Sequence, residues 1–221
     1  MKPLIVNDKG LGKGGVVYNL LRGIDVKVIV MAGHGPPKAP EVQQFVKNYT
    51  NAKIYCFEPD SRNWKELSRK YNGTNVSMFP YALGESYGTV DFFEASEFGA
   101  SSLFQWKKSG NQSRKVQMVN LDGFAEQYKL NRINHLFLDI QGAEHLAFAG
   151  AKDLLKRQAI DVIVGEAVID DMYGTPDSFY ESYTILKDSG YTFVGVYGPS
   201  QYPAGRVASF DYIFAIPGLV Q

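Results

Sequence analysis

Strand-like and helix-like segments alternate along most of this chain, and this alternation constrains the fold more than any other feature. The strand-like segments are apolar and span residues 26–31, 53–57, 76–81, 135–140, 161–164, 191–197 and 210–216. Helix-like segments separate them at residues 41–49, 61–71, 143–156 and 178–189, with Ser61 as the expected N-cap of the second. Strands that alternate with helices indicate βαβ units and a mostly parallel sheet. No helix separates the last two strands, so we expect them to close one edge as an antiparallel hairpin.

Two further segments interrupt the alternation after the third strand. Residues 88–95 and 114–119 are strand-like and flank a polar loop at 97–112, which contains three aromatic residues. This β insertion is either a surface elaboration or a lid or substrate platform. The chain has no internal repeat or linker. We therefore expect one domain over residues 1–221, with residues 1–25 as an N-terminal extension.

Charge and cysteine content argue against several classes of protein. The chain has 23 basic and 23 acidic residues and no basic stripe, which disfavours a nucleic-acid or membrane-surface partner. A single cysteine, Cys56, excludes an internal disulfide and favours a reducing compartment. No apolar stretch approaches membrane-spanning length, and the N-terminus lacks a secretory pattern. We therefore expect a cytoplasmic protein, whose oligomeric state the sequence does not predict.

A glycine-rich segment near the N-terminus matches a phosphate-binding pattern. Residues 10–15 (GLGKGG) fit G-x-G-x-x-G and precede a helix-capable stretch at 16–21. A dinucleotide-binding fingerprint also needs a long helix and an acidic residue about 20 positions further on, and neither is present. We interpret this segment as a flexible glycine turn.

Two carboxylates stand where predicted strands end. Asp139 closes an apolar run, and Gly142 then opens a helix that carries Glu144 and His145. Open α/β sheets build their sites at this edge. Glu58 follows the strand 53–57, where it is placed to accept hydrogen bonds from both hydroxyls of a ribose.

The loop after the first strand favours a cofactor that lacks phosphate. Its glycines, in the segment AGHG (32–35), let the backbone approach a ligand closely. Three prolines follow at 36, 37 and 40, and they remove amide donors that a phosphate would need. Together with Glu58, this loop makes S-adenosylmethionine the obvious candidate cofactor.

These residues resemble the FkbM-type methyltransferases. The similar segments are FEPD (57–60), ALGE (82–85), the loop 101–103, NLDGFAEQY (120–128), LFLDIQGAEHLAFAGA (136–151), VIVGEA (162–167) and FDYIFA (210–215). The resemblance implies an α/β, class I methyltransferase fold, which is a Rossmann-like, seven-stranded and mostly parallel sheet. It also implies methyl transfer from S-adenosylmethionine to a hydroxyl, often on a sugar or a polyketide. The expected partner is therefore a small-molecule or glycan acceptor.

The resemblance also implies a set of cofactor-binding residues. Glu58 would contact the ribose, Ala82 and Leu83 would lie beside the adenine, and Asp139 would form the floor of the site. The full candidate set is Ala32, Gly33, His34, Glu58, Pro59, Ala82, Leu83 and Asp139.

The chain departs from the family pattern in two places. The acidic residue that usually precedes the first glycine loop, and helps to hold the methionine ammonium, is absent from MAGHGPP (31–37). Gln141 also stands where the family often has glutamate. Two interpretations remain: an O-methyltransferase with an altered cofactor position, and a non-catalytic, methyltransferase-like binding module. The balanced charge disfavours a nucleic-acid methyltransferase.

Methyl transfer to a hydroxyl needs a general base or a metal ion, because a hydroxyl is a poor nucleophile at neutral pH. We expect Asp139 and Glu166 to end neighbouring strands and to face each other. This pairing resembles the site of metal-dependent O-methyltransferases, and oxygen ligands suit Mg²⁺ or Mn²⁺. Alternatively, Asp139 caps a helix and Glu166 is an ordinary edge carboxylate.

The histidines differ in their value as candidate bases. His145 follows Glu144 in the first turn of its helix, and His34 lies in the cofactor loop. His135 lies at the start of its strand, at the wrong end for chemistry. We predict Asp139, Glu144 and His145 as the catalytic residues, although a structural role is the commoner one for a histidine.

Overall fold

The computed structural model describes residues 13–33, 40–95, 99–105, 112–169, 178–201, 203 and 205–220. Its strands are β1 (Val28–Ala32), β2 (Lys53–Phe57), β3 (Val76–Phe79), β4 (Tyr81–Leu83), β5 (Gly88–Glu94), β6 (Gln112–Val119), β7 (Ile133–Leu138), β8 (Ile160–Val168), β9 (Thr192–Gln201) and β10 (Val207–Ala215). Its helices are α1 (Lys13–Leu20), α2 (Pro40–Asn48), α3 (Ser61–Lys70), α4 (Leu121–Tyr128), α5 (Glu144–Ala149), α6 (Lys152–Lys156), α7 (Ser178–Asp188) and a 3-10 turn at Pro217–Leu219. None of these helices is long and apolar enough to cross a membrane.

Seven strands form a central sheet in the order β3-β2-β1-β7-β8-β10-β9. The five strands from β3 to β8 are parallel, whereas β10 runs antiparallel to both β8 and β9. The chain moves outward from β1 to β3 and then returns to β7 on the other side of β1, so the strand order reverses between β1 and β7. The expected fold class, with its antiparallel last pair, is confirmed. Ligands bind at such a reversal point in open α/β sheets.

The predicted β insertion is confirmed as a second sheet of three strands, in the order β4-β6-β5. The strands β5 and β6 form an antiparallel pair, and β4 pairs in parallel with β6. The predicted third strand, 76–81, is divided at Pro80, which lacks the N–H group that a continuous ladder requires. Because of this break, β3 stays in the central sheet and β4 starts the insertion.

Both faces of the central sheet are covered, and the alternation of β7 shows which residues share a face. All six residues of β7 are buried, as expected for a parallel strand between two layers. Leu136 and Leu138 pack into the core that includes α4 to α7, whereas Phe137 packs into the core that includes Val17 of α1 and Val42 of α2. Since strand residues alternate between faces, positions 135, 137 and 139 point toward α1 and α2.

Two predicted helical features are wrong in detail. The helix expected at 143–156 is two helices, α5 and α6, because the backbone N–H groups of Asp153 and Leu154 donate to the Asp122 carboxylate instead of continuing the hydrogen bonds of α5. The N-cap of α3 is Asp60 rather than Ser61, because the Asp60 side chain accepts a hydrogen bond from the Arg62 backbone N–H.

Two predictions near the ends of elements are also wrong. Gly14 and Gly15 belong to α1 rather than to a glycine turn; residues 10–12 lie outside the described residues. Glu166 lies inside β8 rather than at its end, because the pairing of β8 with β10 continues to Val168.

Candidate active site

The loops after β1, β2 and β7 meet where the strand order reverses, and together they form a pocket. Its other walls come from β4 and from the insertion loop at 99–103. Seven of the eight candidate cofactor residues line it, namely Ala32, Gly33, Glu58, Pro59, Ala82, Leu83 and Asp139. The eighth, His34, lies outside the described residues. The sequence thus places most of its candidates around one crevice.

The pocket is narrow in this structure. A cleft of about 520 Å³, which includes the open mouth, contains a cavity of about 40 Å³. Ligand pockets usually measure about 300–1,000 Å³. A nucleoside-sized ligand therefore requires the walls of the cleft to separate.

Gly33 allows the loop after β1 to contact the loop after β7. Its φ of +75° is in the left-handed region that favours glycine. A β-carbon on Gly33 would lie 1.7 Å from the backbone carbonyl oxygen of Asp139. The sequence predicted close approach of this glycine to a ligand, whereas the structure shows close approach to the backbone that carries Asp139.

Glu58 is a buried carboxylate in the wall of the pocket. It follows β2, is 4% exposed, and its Oε1 accepts a hydrogen bond of 2.9 Å from the Asp60 backbone N–H. Asn63, in the first turn of α3, lines the same wall at 5% exposure. Within the described part of the chain, the buried Asn63 Oδ1 has no hydrogen-bond partner, so it offers an acceptor to a ligand that carries N–H or O–H groups.

Asn63 was missed by the sequence analysis. The signal that could have found it is its position, three residues after the N-cap of the helix that follows Glu58. The first turn of such a helix faces the crevice at the strand ends.

The insertion is fastened over the pocket by polar contacts. Arg62 of α3 pairs with Asp60 and donates a hydrogen bond of 3.0 Å to the backbone carbonyl of Ala95. The Ser101 hydroxyl donates to the same Asp60 carboxylate at 3.2 Å. On the other side, the Ser102 hydroxyl donates to the Gln141 carbonyl at 2.9 Å. The described part of the insertion loop is therefore a wall of the pocket and not a remote surface elaboration.

Asp139 and Glu166 lie side by side at the edge of the pocket. The Gln141 amide nitrogen donates to Asp139 Oδ1 at 2.7 Å and to Glu166 Oε2 at 2.6 Å. Gln141 has a φ of +55°, which turns its side chain back over the two carboxylates. The expected meeting of the two acids therefore occurs, and a third side chain holds them together.

Burial makes this pair hold protons strongly. Burial raises the pKa of Asp139, and it raises the pKa of Glu166 to about 9, with the charge of Asp139 as the second cause. Two neighbouring carboxylates in such a site resist double ionisation, and their titration belongs to the pair. Each carboxylate therefore opposes ionisation of the other, and the pair retains a proton above the pH at which an isolated carboxyl group would release it.

The arrangement at this pair does not match a preformed metal site. The Gln141 amide nitrogen, which carries hydrogens, faces both oxygens through which a cation would bind. Within the described part of the chain, no three His, Cys, Asp or Glu side chains are close enough together to hold a metal ion. The metal expected at Asp139 and Glu166 stays a prediction, and we derive no chemical step from it.

Glu144 stabilises the loop that carries the pair instead of lining the pocket. It is 1% exposed in the first turn of α5, and its Oε1 accepts a hydrogen bond of 2.8 Å from the Ile140 backbone N–H. Burial raises the pKa of Glu144 to about 8. The structure therefore places this predicted catalytic residue behind the loop at 140–143, where it supports the conformation of that loop.

The buried Glu144 predicts a specific dependence of stability on pH. The folded protein keeps a proton on Glu144 up to about pH 8, whereas the unfolded chain releases it near the ordinary value of 4.5. The free energy of unfolding should therefore fall as pH rises between these values, by up to about 1.4 kcal/mol per pH unit. Glu144→Gln should remove this component, so that variant and wild type diverge progressively as pH rises from 5 to about 8.

Urea unfolding at several pH values measures this difference. The exposed Glu126, changed to Gln, serves as the control and should follow the wild type across the range. If Glu144→Gln and the wild type show parallel pH dependences, Glu144 is not protonated in the folded protein.

His145 lies outside the pocket wall. Its Nε2 is 3.4 Å from a carboxylate oxygen of Glu181 on α7, and its ring stacks at 6.0 Å on Phe104 of the insertion loop. The structure thus brings Asp139 to the pocket, but it places Glu144 behind the adjoining loop and His145 between two neighbouring elements.

The sheet order, the pocket at its reversal point and the antiparallel last pair define the class I methyltransferase fold. The chain is similar to a crystal structure of methyltransferase FkbM from Methylobacillus flagellatus, with a TM-score of 0.54 and 15% sequence identity. That likeness covers 86% of this chain and 44% of the other chain. At this identity, the comparison shows a shared fold.

The methyltransferase FkbM domain model matches residues 30–193, which is most of the chain. The chain therefore belongs to the FkbM methyltransferase domain family, whose members depend on S-adenosylmethionine. It is also 24% identical over 135 residues to the 2-O-methyltransferase NoeI of Sinorhizobium fredii, an alignment that covers 53% of this chain and 55% of that protein. The chain thus spans about half the length of these relatives.

Proposed function

We propose that the protein is an S-adenosylmethionine-dependent O-methyltransferase that acts on a hydroxyl of a sugar or glycan. The observation that carries this proposal is the Asp139–Glu166 pair held by Gln141, because Asp139 lines a pocket whose walls also contain Glu58. Membership of the family supports the cofactor, and similarity to a 2-O-methyltransferase supports a hydroxyl acceptor.

The residues of the pocket suit the nucleoside part of the cofactor. Glu58 can accept hydrogen bonds from both ribose hydroxyls, as carboxylates at this position of a dinucleotide-binding fold do. Asn63 Oδ1, buried without a partner, can accept a further hydrogen bond from the ribose or the adenine. Ala82, Leu83 and the insertion loop supply an apolar wall for the base.

When bound, the cofactor supplies a methyl group on a positively charged sulfur. The chain has to align the acceptor hydroxyl with that methyl group and to take up the hydroxyl proton. The Asp139–Glu166 pair would take up that proton from the acceptor. Gln141 stabilises the charge of that pair with two short hydrogen bonds.

Transfer of a radiolabelled methyl group from S-adenosylmethionine to a panel of methyl glycosides tests the proposal. We expect label in at least one glycoside, and unchanged activity in EDTA if the carboxylate pair acts without a metal. Loss of activity in EDTA, restored by Mg²⁺ or Mn²⁺, would support metal assistance at Asp139 and Glu166. A folded protein that binds the cofactor product but labels no glycoside would contradict the sugar acceptor, and a protein that binds neither would be a non-catalytic module.

A further inference from the structure

A second cavity lies on the α1 and α2 face of the sheet, apart from the pocket described above. Its volume is about 230 Å³, and its floor is formed by β7 and β8. The described residues that line it with side chains able to bind a ligand are Lys13, Glu41, Gln44, Phe45, His135 and Phe137. The established family membership assigns no role to this cavity.

His135 is an unsatisfied polar group in the floor of the cavity. It is 1% exposed, and neither ring nitrogen has a hydrogen-bond partner among the described residues. The rings of Phe45 and His135 pack edge to face, with 4.9 Å between their centroids. Burial lowers the pKa of His135 to about 3, so its imidazole is neutral and offers one donor and one acceptor. Leaving both groups without partners costs free energy, which a suitable ligand would recover.

The strand residues that line the cavity lie on the same face of the sheet as the carboxylate pair. His135 and Phe137 face the same side as Asp139, and Val164 of the cavity floor faces the same side as Glu166. At about 3.3 Å per residue, His135 lies roughly 13 Å along the strand from Asp139. A molecule that places one group in the cavity and another at the pair therefore has to span roughly 13 Å.

Lys13 connects the cavity with the site electrostatically. Its ammonium lies 5.0 Å above the centre of the Phe137 ring in the cavity and 2.9 Å from an Asp211 carboxylate oxygen. Asp211 is the register partner of Glu166 on β10. Since Asp211 pairs with Lys13, the cavity does not present an uncompensated cation that would require an anionic ligand.

Mixed aromatic and hydrogen-bonding walls suit a sugar ring. The apolar face of a pyranose can pack on Phe45 or Phe137, while its hydroxyls can meet Gln44, Glu41 and His135. A hydroxyl can both donate and accept a hydrogen bond. It can therefore pair with the protonated nitrogen of the neutral imidazole or with the unprotonated one. We propose that this cavity is a subsite for a neutral monosaccharide ring of the acceptor, with His135 as the residue that recognises one of its hydroxyls.

The proposal rests on the proposed function in one respect, which is that the bound sugar ring belongs to the methyl acceptor. Binding of a sugar in the cavity is therefore tested separately from methyl transfer. In protein labelled with ¹⁵N at histidine, the neutral methyl glycosides of glucose, galactose and fucose are added in turn, with and without S-adenosylhomocysteine. We expect at least one glycoside to shift the His135 ring nitrogens, assigned by their loss in His135→Phe. If no glycoside shifts them in a protein that binds S-adenosylhomocysteine, the subsite is wrong and the proposed function stands.

A blocking variant provides an independent test. Of the atoms in the described residues, only Gln44 Oε1 would lie near a β-carbon on Gly14, at 3.8 Å. Gly14→Leu should therefore enter the cavity without disrupting α1 and should abolish the glycoside-induced shifts. Asn19→Leu places the same side chain on an exposed position of the same helix and should leave the shifts intact. Shifts that persist in Gly14→Leu would overturn the proposal.

The His135 variants separate recognition from a structural role. His135→Phe keeps a ring but removes both polar groups, so we expect an equal or higher melting temperature together with KM for the glycoside raised about five- to tenfold. His135→Gln retains a donor and an acceptor and should recover part of the affinity, with kcat changed less than KM. Unchanged KM in His135→Phe would contradict recognition by His135. Glycoside shifts in a protein that does not bind S-adenosylhomocysteine would instead support the sugar site and contradict the methyltransferase function.

Discussion

Gly33→Ala is expected to lower the free energy of unfolding by at least about 4 kcal/mol. Few single substitutions destabilise a protein this much, and those that do include substitutions that strain the backbone. The new β-carbon would lie 1.7 Å from the Asp139 carbonyl oxygen and 2.5 Å from its carbonyl carbon. These atoms belong to the backbone, so no side-chain rotation relieves the clash. Either β1 or the loop after β7 has to move, and both carry walls of the pocket.

A matched control isolates the steric cause. Gly73 has a φ of +76°, almost identical to the +75° of Gly33, but no atom of the residues that the structure describes would lie within 4 Å of a β-carbon there. Gly73→Ala should therefore cost only the left-handed backbone conformation, about 1–2 kcal/mol. Urea unfolding measures both variants. Failure of Gly33→Ala alone to fold would agree with the prediction, whereas equal losses in the two variants would show that the contact with Asp139 is unimportant.

Asp139→Asn is expected to reduce methyl transfer about 10²- to 10⁴-fold, which is the usual contribution of a positioned acid or base. The amide keeps the shape of the side chain but removes the charge that accepts the hydroxyl proton. It also removes the repulsion that helps to raise the pKa of Glu166, so Glu166 ionises at lower pH. Asp139→Ala should abolish turnover altogether.

The loss has to be catalytic and not a failure to bind cofactor. Affinity for S-adenosylhomocysteine in Asp139→Asn should therefore change much less than turnover. Asp91→Asn, on the exposed surface of β5, provides the control and should keep wild-type activity. Wild-type turnover in Asp139→Asn would exclude Asp139 from the reaction.

The arrangement of strands was predictable because each buried parallel strand is a short apolar run between polar turns. The runs at 135–140 and 161–164 correspond to β7 and β8, where burial on both faces removes any alternation of polar residues. The ends were harder to place. Nothing in the local pattern near Glu166 reveals that β10 extends the ladder to Val168, because pairing with a distant strand decides where β8 ends.

The site residues that could be predicted are those whose role follows from their position directly after a strand. Asp139 and Glu58 follow strands, and the fold brings strand ends together. Gln141 was noticed only as a departure from the family, although its positive φ is what turns its amide onto both acids. Asn63 was missed because its importance comes from an unpartnered oxygen, which is visible only once the packing is known.

His135 illustrates a different limit. Its position near the start of a strand argues against a role as a base, because the sites of open α/β sheets lie at the strand ends. The sequence pattern does not show that a cavity lies between α1, α2 and this part of the sheet. Packing between helices leaves such cavities, and periodicity alone cannot predict them.

Cofactor binding through Glu58 tests the central claim most directly. We would titrate the purified protein with S-adenosylhomocysteine in a calorimeter, alongside Glu58→Ala and the exposed neighbouring variant Glu85→Ala. The wild type and Glu85→Ala should bind with one-to-one stoichiometry. Glu58→Ala should bind about 100-fold more weakly, because it loses the charged acceptor of the ribose hydroxyls. A folded wild-type protein that does not bind S-adenosylhomocysteine would contradict the account.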